Sequence, residues 1–180
     1  MILIINICHE KLHYYEFVKP IEDILRKGGV GFFTKYYKDI TDSDLEKSLK
    51  VIICGTSLKD GEFVKDVSEF SWVSSFDKPL LGICGGMQVI GLLNGRDLKK
   101  GEEIGFYTEK FKKPYLGLEN DAEVYHLHNN YIDFSDLKDF EIYSGGKFIQ
   151  AVKHVGKEIY GVLFHPEVRN KEMILEFIRK

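Results

Sequence analysis

The chain contains 180 residues, of which 44% are hydrophobic and 29% are charged, and its formal net charge at pH 7 is −3. This balance is typical of one globular domain, which we expect to span residues 1–180, and it excludes a disordered chain, a collagen-like fibre and a coiled coil. The charge provides no basic field for a nucleic acid and no apolar run approaches the ~20 residues that cross a bilayer, so we expect a cytoplasmic protein that binds neither nucleic acid nor membrane.

The first half of the chain alternates apolar strands with helical patterns. Ile2–Ile7 is a continuous apolar run, which is typical of a strand covered on both faces, and Pro20 is expected in the first turn of the helix that follows. The predicted strands are Ile2–Ile7, Val30–Tyr37, Val51–Cys54 and Leu80–Ile83, and the predicted helices are Phe17–Leu25, Ser43–Leu49 with Thr41 or Ser43 as its cap, Phe63–Val73 and Gly85–Leu93. This alternation predicts a parallel sheet with right-handed crossovers.

The second half of the chain is dominated by strands. A turn signal at Ser144–Lys147 joins two of them, and the chain closes with a helix at Lys171–Lys180. The predicted strands are Glu103–Phe111, Ala122–Leu127, Phe140–Ser144, Phe148–His154 and Ile159–Phe164. We therefore predict an α/β, flavodoxin-like fold with a central mixed, mostly parallel sheet flanked by helices, and an added antiparallel part in the C-terminal half.

A cysteine stands at the junction of the fourth predicted strand and its helix. A turn that passes directly from strand to Cys84 to helix lifts the side chain out of the sheet and requires small residues two positions before and after, here Gly82 and Gly86. The helix N-terminus favours a thiolate, and the N–H group of Gly85 can face a developing oxyanion. Cys84 is therefore a candidate nucleophile, with a buried structural cysteine as the alternative.

A histidine that could act as the base follows the last predicted strand. His165 lies two residues before Glu167, which can reach back to orient the imidazole and stabilise its cation. The alternative is a surface histidine beside a solvated glutamate. Because ligands bind beyond the carboxyl ends of parallel strands, and because Gly55, Cys84 and His165 all fall just past predicted strand ends, we expect these residues at one edge of the sheet.

Two motifs together resemble those of the class I, triad-type glutamine amidotransferases. Gly82–Gln88 matches the pattern G-[ILV]-C-x-G-x-Q, and Phe164–Glu167 matches F-H-P-E, in the same order and over nearly the whole chain. The similarity is closest to freestanding glutaminase subunits of the GMP synthetase type. The resemblance implies one class I domain over residues 1–180 that hydrolyses the side-chain amide of glutamine and supplies ammonia to a synthase.

The resemblance also implies roles for individual residues. Cys84 would attack the amide and form a γ-glutamyl thioester, His165 would pass the thiol proton to the leaving ammonia, and Glu167 would hold His165. The other implied residues are Gly55, Thr56 and Gly85 for the oxyanion hole, and Gln88, His128, Asn129 and Asn130 for binding glutamine.

Two segments depart from the pattern of this family. Where the family usually carries S-G-G-P, this chain has Cys54–Ser57, and the β-branched Thr56 would be strained if its φ had to be positive. Where the family often has S-H-x-D, His128 matches the histidine but Asn130 replaces the acid. A carboxylate that could pair with a substrate ammonium has thus become a neutral amide.

Neither the cysteines nor the histidines predict a metal site. The three cysteines form no CxxC pair, which argues against a disulfide scaffold and against a zinc site built on thiolates. His9 and His13 follow no motif and are expected to be loop residues. The remaining histidines before His165 are too scattered to suggest a metal: His126, His128 and His154.

The chain carries no phosphate-binding motif of the form G-x-x-x-x-G-K-[ST]. We therefore expect no cofactor in this chain, and the resemblance implies ATP and Mg²⁺ on a separate synthase subunit of the ATP pyrophosphatase type. Candidate docking segments are the Gly-rich loops Asn94–Arg96 and Lys99–Gly105, the segment Phe111–Leu118, and an aromatic cluster of Phe106, Tyr107, Phe111 and Tyr115. Two alternatives are a stand-alone γ-glutamyl hydrolase or peptidase with the same triad, and an inactive binding module, against which the intact triad argues.

Overall fold

Nine strands form one continuous sheet in the computed structural model, which describes all residues 1–180. The strands are β1 (Ile2–Asn6), β2 (Phe32–Tyr36), β3 (Lys50–Ile53), β4 (Leu80–Ile83), β5 (Leu98–Tyr115), β6 (Leu118–Ile132), β7 (Phe140–Gly145), β8 (Ile149–His154) and β9 (Ile159–Val162). Their order across the sheet is β2-β1-β3-β4-β9-β8-β7-β5-β6. The first five positions in this order are parallel and the remaining pairs are antiparallel.

The parallel part of the sheet has the strand order of a flavodoxin-like fold. The central strand β1 pairs with β2 on one side and with β3 on the other, and β4 pairs with β3 and β9. The residues of β4 and β9 are all buried, as expected for strands covered by helices on both faces. The predicted fold class, including the antiparallel addition, is confirmed.

Two layers of helices bury the two faces of this sheet. The α-helices are α1 (Lys11–His13), α2 (Lys19–Lys27), α3 (Asp42–Lys47), α4 (Glu62–Lys65), α5 (Gly85–Leu93) and α6 (Lys171–Arg179). One apolar core contains Ile21 and Leu25 of α2 with Phe177 of α6, and the other contains Met87 and Ile90 of α5. A scan of the helices finds no candidate for a membrane span.

The first predicted helix is longer than expected and contains a wide turn. Residues Tyr14–Val18 form a π-helix between α1 and α2, and the N–H group of Lys19 bonds to the carbonyl of Tyr14, five residues back. Pro20 lies in the first turn of α2, as predicted. Proline has no N–H group to donate. Its position directly after the wide turn therefore leaves no helical N–H group unpaired.

The caps and termini of the other helices agree in part with the prediction. Thr41 caps α3, and Asp44 completes a capping box with it, as the sequence suggested for one of the two candidate caps. The predicted helix over Phe63–Val73 is wrong, since α4 ends at Lys65 and a 3₁₀-helix follows at Val67–Ser74. Apolar residues at positions 67, 70 and 73 repeat every third residue, which matches the three residues per turn of a 3₁₀-helix.

The antiparallel addition is a long hairpin of β5 and β6. The strands pair from Leu98 with Ile132 to Tyr115 with Leu118, and the two connecting residues both have positive φ, 47° at Leu116 and 82° at Gly117. This matches the two-residue turns that suit strand twist. The expected loop Lys99–Gly105 is therefore wrong, and the candidate docking segment Phe111–Leu118 is mostly the end of β5 with the turn that follows it.

Two glycines inside β5 explain this error. A Cβ on Gly101 would approach the Phe148 ring to 2.5 Å, so this glycine permits close packing, and Gly105 has a φ of +115° within the strand. Neither glycine ends the strand. The aromatic residues predicted as one exposed cluster differ in exposure. Phe111 and Tyr115 are buried, whereas Phe106 is 57% exposed.

Strand β4 and helix α5 cross so closely that only glycine fits at the contact. A Cβ on Gly82 would lie 2.6 Å from the carbonyl carbon of Gly86, and a Cβ on Gly86 would lie 2.3 Å from the carbonyl oxygen of Ile53. These distances are far below van der Waals contact, and the obstructing atoms are backbone atoms that cannot rotate away. The predicted need for small residues on both sides of Cys84 is confirmed.

We expect Gly86→Ala to lower the free energy of unfolding by about 2 kcal/mol or more, because the added methyl overlaps backbone of β3. Gly146→Ala is the matched control, since a Cβ there meets nothing within 4 Å. Urea denaturation followed by circular dichroism measures both variants. Equal stability of the two proteins would contradict the close approach of α5 to β3.

Candidate active site

Cys84 occupies a strained turn at the carboxyl end of β4. Its backbone has φ 48° and ψ −100°, a conformation that residues with a side chain rarely adopt. The turn is held because the Cys84 N–H group donates to the carbonyl of Val162 on β9 at 2.7 Å, and α5 begins at the next residue. The sulfur therefore projects from the sheet edge at the N-terminus of a helix, where a negative charge is stabilised.

His165 reaches the same edge from the segment that follows β9. Its N–H group donates to the carbonyl of Tyr125 at 2.8 Å, and its Nδ1 lies 2.7 Å from Oε1 of Glu167. Both side chains are 1% exposed. Burial acts to lower the pKa of His165, but the charges of Glu167 and Cys84 outweigh it and raise this pKa well above its usual value. The imidazole is thus held in a fixed orientation and its protonated form is favoured. A nucleophilic thiolate requires both.

Gly55 brings the cysteine and the histidine together by having no side chain. A Cβ at this position would stand 2.7 Å from Cε1 of His165 and 3.2 Å from Cβ of Cys84. The two side chains therefore share the space above Gly55. Because Nδ1 of His165 is bonded to Glu167, the ring presents Nε2 as its free nitrogen, and this atom has no hydrogen-bond partner within the chain.

A cavity of about 250 Å³ opens in front of Cys84. This volume suits a ligand of amino-acid size better than a large cofactor. Of the residues predicted for the site, seven line the cavity, namely Thr56, Cys84, Gly85, Gln88, His128, Asn129 and Asn130, whereas Gly55, His165 and Glu167 do not. Cys84, the candidate nucleophile, thus faces the cavity.

Backbone N–H groups suitable for an oxyanion lie beside this cavity. Gly85 is the first residue of α5, where an N–H group has no helical acceptor. The N–H groups of Gly55 and Thr56 donate to no backbone carbonyl of the chain. Thr56 does not adopt a positive φ, so the strain considered for this position is absent.

A buried carboxylate holds the loop that carries Thr56, and the sequence analysis missed it. Oδ2 of Asp60 accepts from Oγ1 of Thr56 at 3.0 Å, from Nδ1 of His13 at 2.9 Å and from the N–H group of His9 at 2.8 Å. Burial acts to raise the pKa of Asp60, but its hydrogen bonds, led by that from His13, outweigh burial and lower it. Because β1 and β3 are neighbours in the sheet, their following loops meet here, which gives His13 a structural partner.

Two amide side chains join β6 to the other walls of the cavity. Nε2 of Gln88 donates to the carbonyl of Asn130 at 3.0 Å, and Nδ2 of Asn129 donates to the carbonyl of Leu58 at 3.0 Å. The Cys84 thiol in turn donates to the carbonyl of Leu127 at 3.7 Å. The segment of β6 from Tyr125 to Asn130 therefore contacts the nucleophile, the histidine and the cavity wall through its backbone.

The other two cysteines are poorer candidates for a nucleophile than Cys84. Burial raises the pKa of Cys8 to about 12 and raises the pKa of Cys54 well above its ordinary value. All three cysteines are free thiols. Cys54 is fully buried, so it serves as a small core residue where the family pattern has serine.

Two of the histidines described as scattered lie together, so that description is wrong for them. The ring centroids of His126 and His128 are 5.6 Å apart, and both rings contact the Glu103 carboxylate. The sequence signal was the two-residue spacing in a strand, which places both side chains on one face. Glu103 could not be identified in this way, because its contact depends on the register of β5 with β6.

Comparison with known proteins places this architecture and its motifs in one family. The sequence model of the family "Glutamine amidotransferase class-I" matches residues 13–180, which is nearly all of the chain. The chain belongs to the class I glutamine amidotransferase family. The resemblance found in the motifs around Cys84 and His165 is thereby confirmed.

Curated relatives in this family carry related names. The chain is 31% identical over 111 residues to a glutamine-hydrolysing GMP synthase subunit of Methanobrevibacter smithii, and the alignment covers 55% of each chain. It is 32% identical over 123 residues to the protein of the same name from Ignicoccus hospitalis, covering 65% of this chain and 64% of the relative. The chain thus spans less than two thirds of these relatives.

Solved structures support the fold. A protein of Thermoplasma acidophilum solved as a candidate GMP synthase subunit is 22% identical, with a TM-score of 0.86, and the match covers 99% of this chain and 92% of that chain. A glutamine amidotransferase from Thermotoga maritima is 20% identical with a TM-score of 0.73, covering 99% and 80%. At these identities the likeness establishes the α/β architecture with its mixed sheet.

We expect Gly55→Ala to abolish labelling of Cys84 by the glutamine-like electrophile diazo-oxo-norleucine, because the new methyl displaces both Cys84 and His165. Mass spectrometry measures the adduct, and thermal denaturation checks that the variant is folded. Gly146→Ala should be labelled at the parent rate. Normal labelling of a folded Gly55→Ala protein would show that the two side chains do not share that space.

We expect Glu167→Gln to slow labelling of Cys84 by ~10²-fold near neutral pH, which is the scale of lost acid–base assistance. Since Glu167 raises the pKa of His165, the imidazole stays protonated above its ordinary titration range and loses its proton only as pH rises through the raised value. In Glu167→Gln, the alkaline limb of the pH–rate profile should move to lower pH. An unchanged alkaline limb would show that Glu167 does not raise the pKa of His165.

Proposed function

We propose that this protein is a glutaminase that hydrolyses the side-chain amide of glutamine and delivers the ammonia to a separate synthase subunit. The observation that carries this proposal is the convergence of Cys84, in a strained turn on a helix N-terminus, with a buried His165 that is bonded to Glu167. Family membership supports the same reaction. We also propose that residues 1–180 act as one domain in the cytoplasm, which the continuous sheet and the free thiols support.

The reaction follows from the positions of these groups. The Cys84 thiol gives its proton to Nε2 of His165, and the sulfur attacks the amide carbon of glutamine. The oxygen becomes an oxyanion that accepts from the N–H groups of Gly85 and of the Gly55–Thr56 loop, where one lost donor costs about 3 kcal/mol. His165 then protonates the leaving nitrogen, and ammonia departs as the thioester forms.

Water completes the cycle. Nε2 of His165, again unprotonated, takes a proton from water, which attacks the thioester carbon and releases glutamate. The proton returns to the Cys84 sulfur. Throughout, Glu167 keeps Nδ1 of His165 protonated through their 2.7 Å contact, so that Nε2 is the nitrogen that exchanges protons.

The cavity supports binding of an amino acid through backbone and amide groups. Gln88, His128, Asn129 and Asn130 line it, together with Lys100, whose register partner across the hairpin is Asn130. We propose that the amide groups bind the polar end of glutamine, while the buried His128 imidazole, which contacts Gly101 and Glu103, shapes the wall of the cavity. Lys100 adds a positive charge that can face the substrate carboxylate.

A synthase partner is supported by the chemistry of ammonia and by the relatives' names. Ammonia released into water is protonated and is no longer a nucleophile, so a glutaminase that serves biosynthesis acts beside its acceptor enzyme. Relatives are named as one subunit of a glutamine-hydrolysing GMP synthase. We propose a partner of the ATP pyrophosphatase type that supplies ATP and Mg²⁺, and a GMP synthetase-like acceptor reaction.

The structure indicates which part of the hairpin is available to such a partner. Ile104 is 48% exposed and Phe106 is 57% exposed on β5, next to Glu103, which contacts the cavity residue His128. Asn94–Arg96 remains a turn after α5. Phe111 and Tyr115 are buried and cannot contribute.

One observation favours a second candidate function. The cavity has a neutral Asn130 where the family often has a carboxylate for the substrate ammonium, and Lys100 lies beside it. A pocket without that carboxylate would accept γ-glutamyl compounds whose amino group is absent or substituted. A stand-alone γ-glutamyl hydrolase or peptidase with the same triad would hydrolyse them without a partner. An inactive binding module is disfavoured, because Cys84, His165 and Glu167 are all present and His165 is bonded to Glu167.

We expect diazo-oxo-norleucine to label Cys84 and no other thiol, because Cys8 and Cys54 are buried and their pKa values are raised. Cys84→Ala should abolish labelling, and His165→Ala should reduce it by ~10²-fold or more. Peptide mapping by mass spectrometry locates the adduct. Cys54→Ser is the matched control and should leave labelling unchanged; an adduct on another thiol would overturn the active-site assignment.

Turnover separates the two candidate functions. The glutaminase proposal predicts slow ammonia release from glutamine by the chain alone and acceleration by a synthase subunit. The hydrolase alternative predicts partner-independent turnover of γ-glutamyl amides or peptides at a rate above that for glutamine. Ammonia and glutamate are measured for both substrates, with Cys84→Ala as the background control.

A further inference from the structure

A cluster of two histidines and a glutamate lies where β6 packs between the active site and β5. Nδ1 of His126 is 2.7 Å from Oε2 of Glu103, and Nε2 of His128 is 3.2 Å from the same oxygen. Nε2 of Gln150 donates to this oxygen as well, at 2.8 Å. Both imidazole rings are fully buried, whereas the Glu103 side chain is 11% exposed, so the cluster reaches solvent through the carboxylate.

The contacts of His128 determine which of its nitrogens carries a proton. Nδ1 lies 3.1 Å from the carbonyl oxygen of Gly101, which can only accept, so Nδ1 carries the hydrogen. In the neutral ring, Nε2 then carries a lone pair. That lone pair faces a carboxylate oxygen of Glu103 at 3.2 Å. A neutral His128 therefore requires a cation between the two atoms, whereas a doubly protonated ring would donate to Glu103 directly.

His126 also has an acceptor beside the ring nitrogen that points away from Glu103. Its Nε2 lies 3.4 Å from Oε1 of Glu109 and has no hydrogen-bond partner, although the ring is fully buried. If Nε2 carries the hydrogen, it points at a carboxylate and leaves a lone pair on Nδ1 toward Glu103. Metal-binding histidines typically donate their second N–H group to a carboxylate or a backbone carbonyl. Glu109 and Gly101 provide these two acceptors.

We propose that Glu103, His126 and His128 form a binding site for a divalent transition-metal ion, with Zn²⁺ as the best match. Their ligand atoms all lie within 4.8 Å of one another. Two imidazoles and one carboxylate are a known donor set for zinc. A water molecule would complete the tetrahedral shell. This revises the expectation that the chain holds no metal.

The ion would fix the strand that borders the active site. Backbone carbonyls of Tyr125 and Leu127 accept from His165 and from Cys84, and these residues alternate along β6 with His126 and His128. Cross-linking the two imidazoles to Glu103 would join β5 to β6 at the positions from which those carbonyls are presented. The ion has a structural role in this proposal and takes no part in the reaction.

Zinc binding is tested on the full chain carrying Cys84→Ser, because the thiolate beside His165 would itself bind zinc. After chelator treatment, Zn²⁺ is titrated in competition with a chromophoric chelator, and Co²⁺ is added to a second sample for its visible spectrum. We expect one Zn²⁺ per chain and the intense absorption of tetrahedral Co²⁺. His126→Gln and His128→Gln should each weaken Zn²⁺ binding by more than about tenfold.

His154→Gln is the matched control, since this histidine lies outside the cluster, and it should bind as tightly as the parent. Circular dichroism of the metal-free proteins checks folding, and Glu103→Gln replaces either histidine variant that fails to fold. A long-range ¹H–¹⁵N spectrum should show the His126 proton moving from Nδ1 to Nε2 when Zn²⁺ is added. Failure of the parent to bind, or unchanged affinity in the cluster variants, would overturn the proposal.

Discussion

The contact between His165 and Glu167 is the interaction on which the site depends. It fixes the imidazole at a 2.7 Å contact in a fully buried position, and it keeps a positive charge available where a thiol must ionise. Without this contact, the imidazole proposed as the base for Cys84 would not be held in place. The space left by the missing side chain at Gly55 would then no longer bring the two side chains together. The sheet order matters because it brings β4 and β9 side by side. Cys84, which follows β4, and His165, which follows β9, therefore lie at the same edge of the sheet.

The part of the fold that the sequence determines most clearly is the parallel half. Continuous apolar runs and glycines at Gly82 and Gly86 are sufficient to predict buried strands and a tight strand-to-helix turn, because both features are local. The two motif residues Cys84 and His165 could be placed at one edge for the same reason: each follows a parallel strand. Their mutual contact could be expected only from the family resemblance and the sheet rule together.

Most features that could not be predicted depend on register between distant segments. The hairpin of β5 and β6 is longer than its two predicted strands because Gly101 and Gly105 look like turn residues, whereas their role is close packing against Phe148 and a positive φ within a strand. Asp60 collects donors from a loop about fifty residues away, and Glu103 meets His128 only through the pairing of its strand. No local pattern contains such information.

The way β6 contacts the active site has an evolutionary consequence. Its hydrogen bonds to Cys84, His165 and Gln88 are all made by main-chain carbonyl groups. Mutations along this strand can therefore exchange side chains, as at Asn130, while the peptide groups remain in place. Ligand preference can therefore change in a lineage while the main-chain contacts to the reacting residues persist. The amino-acid types along β6 are thus a poor guide to whether the enzyme is still active.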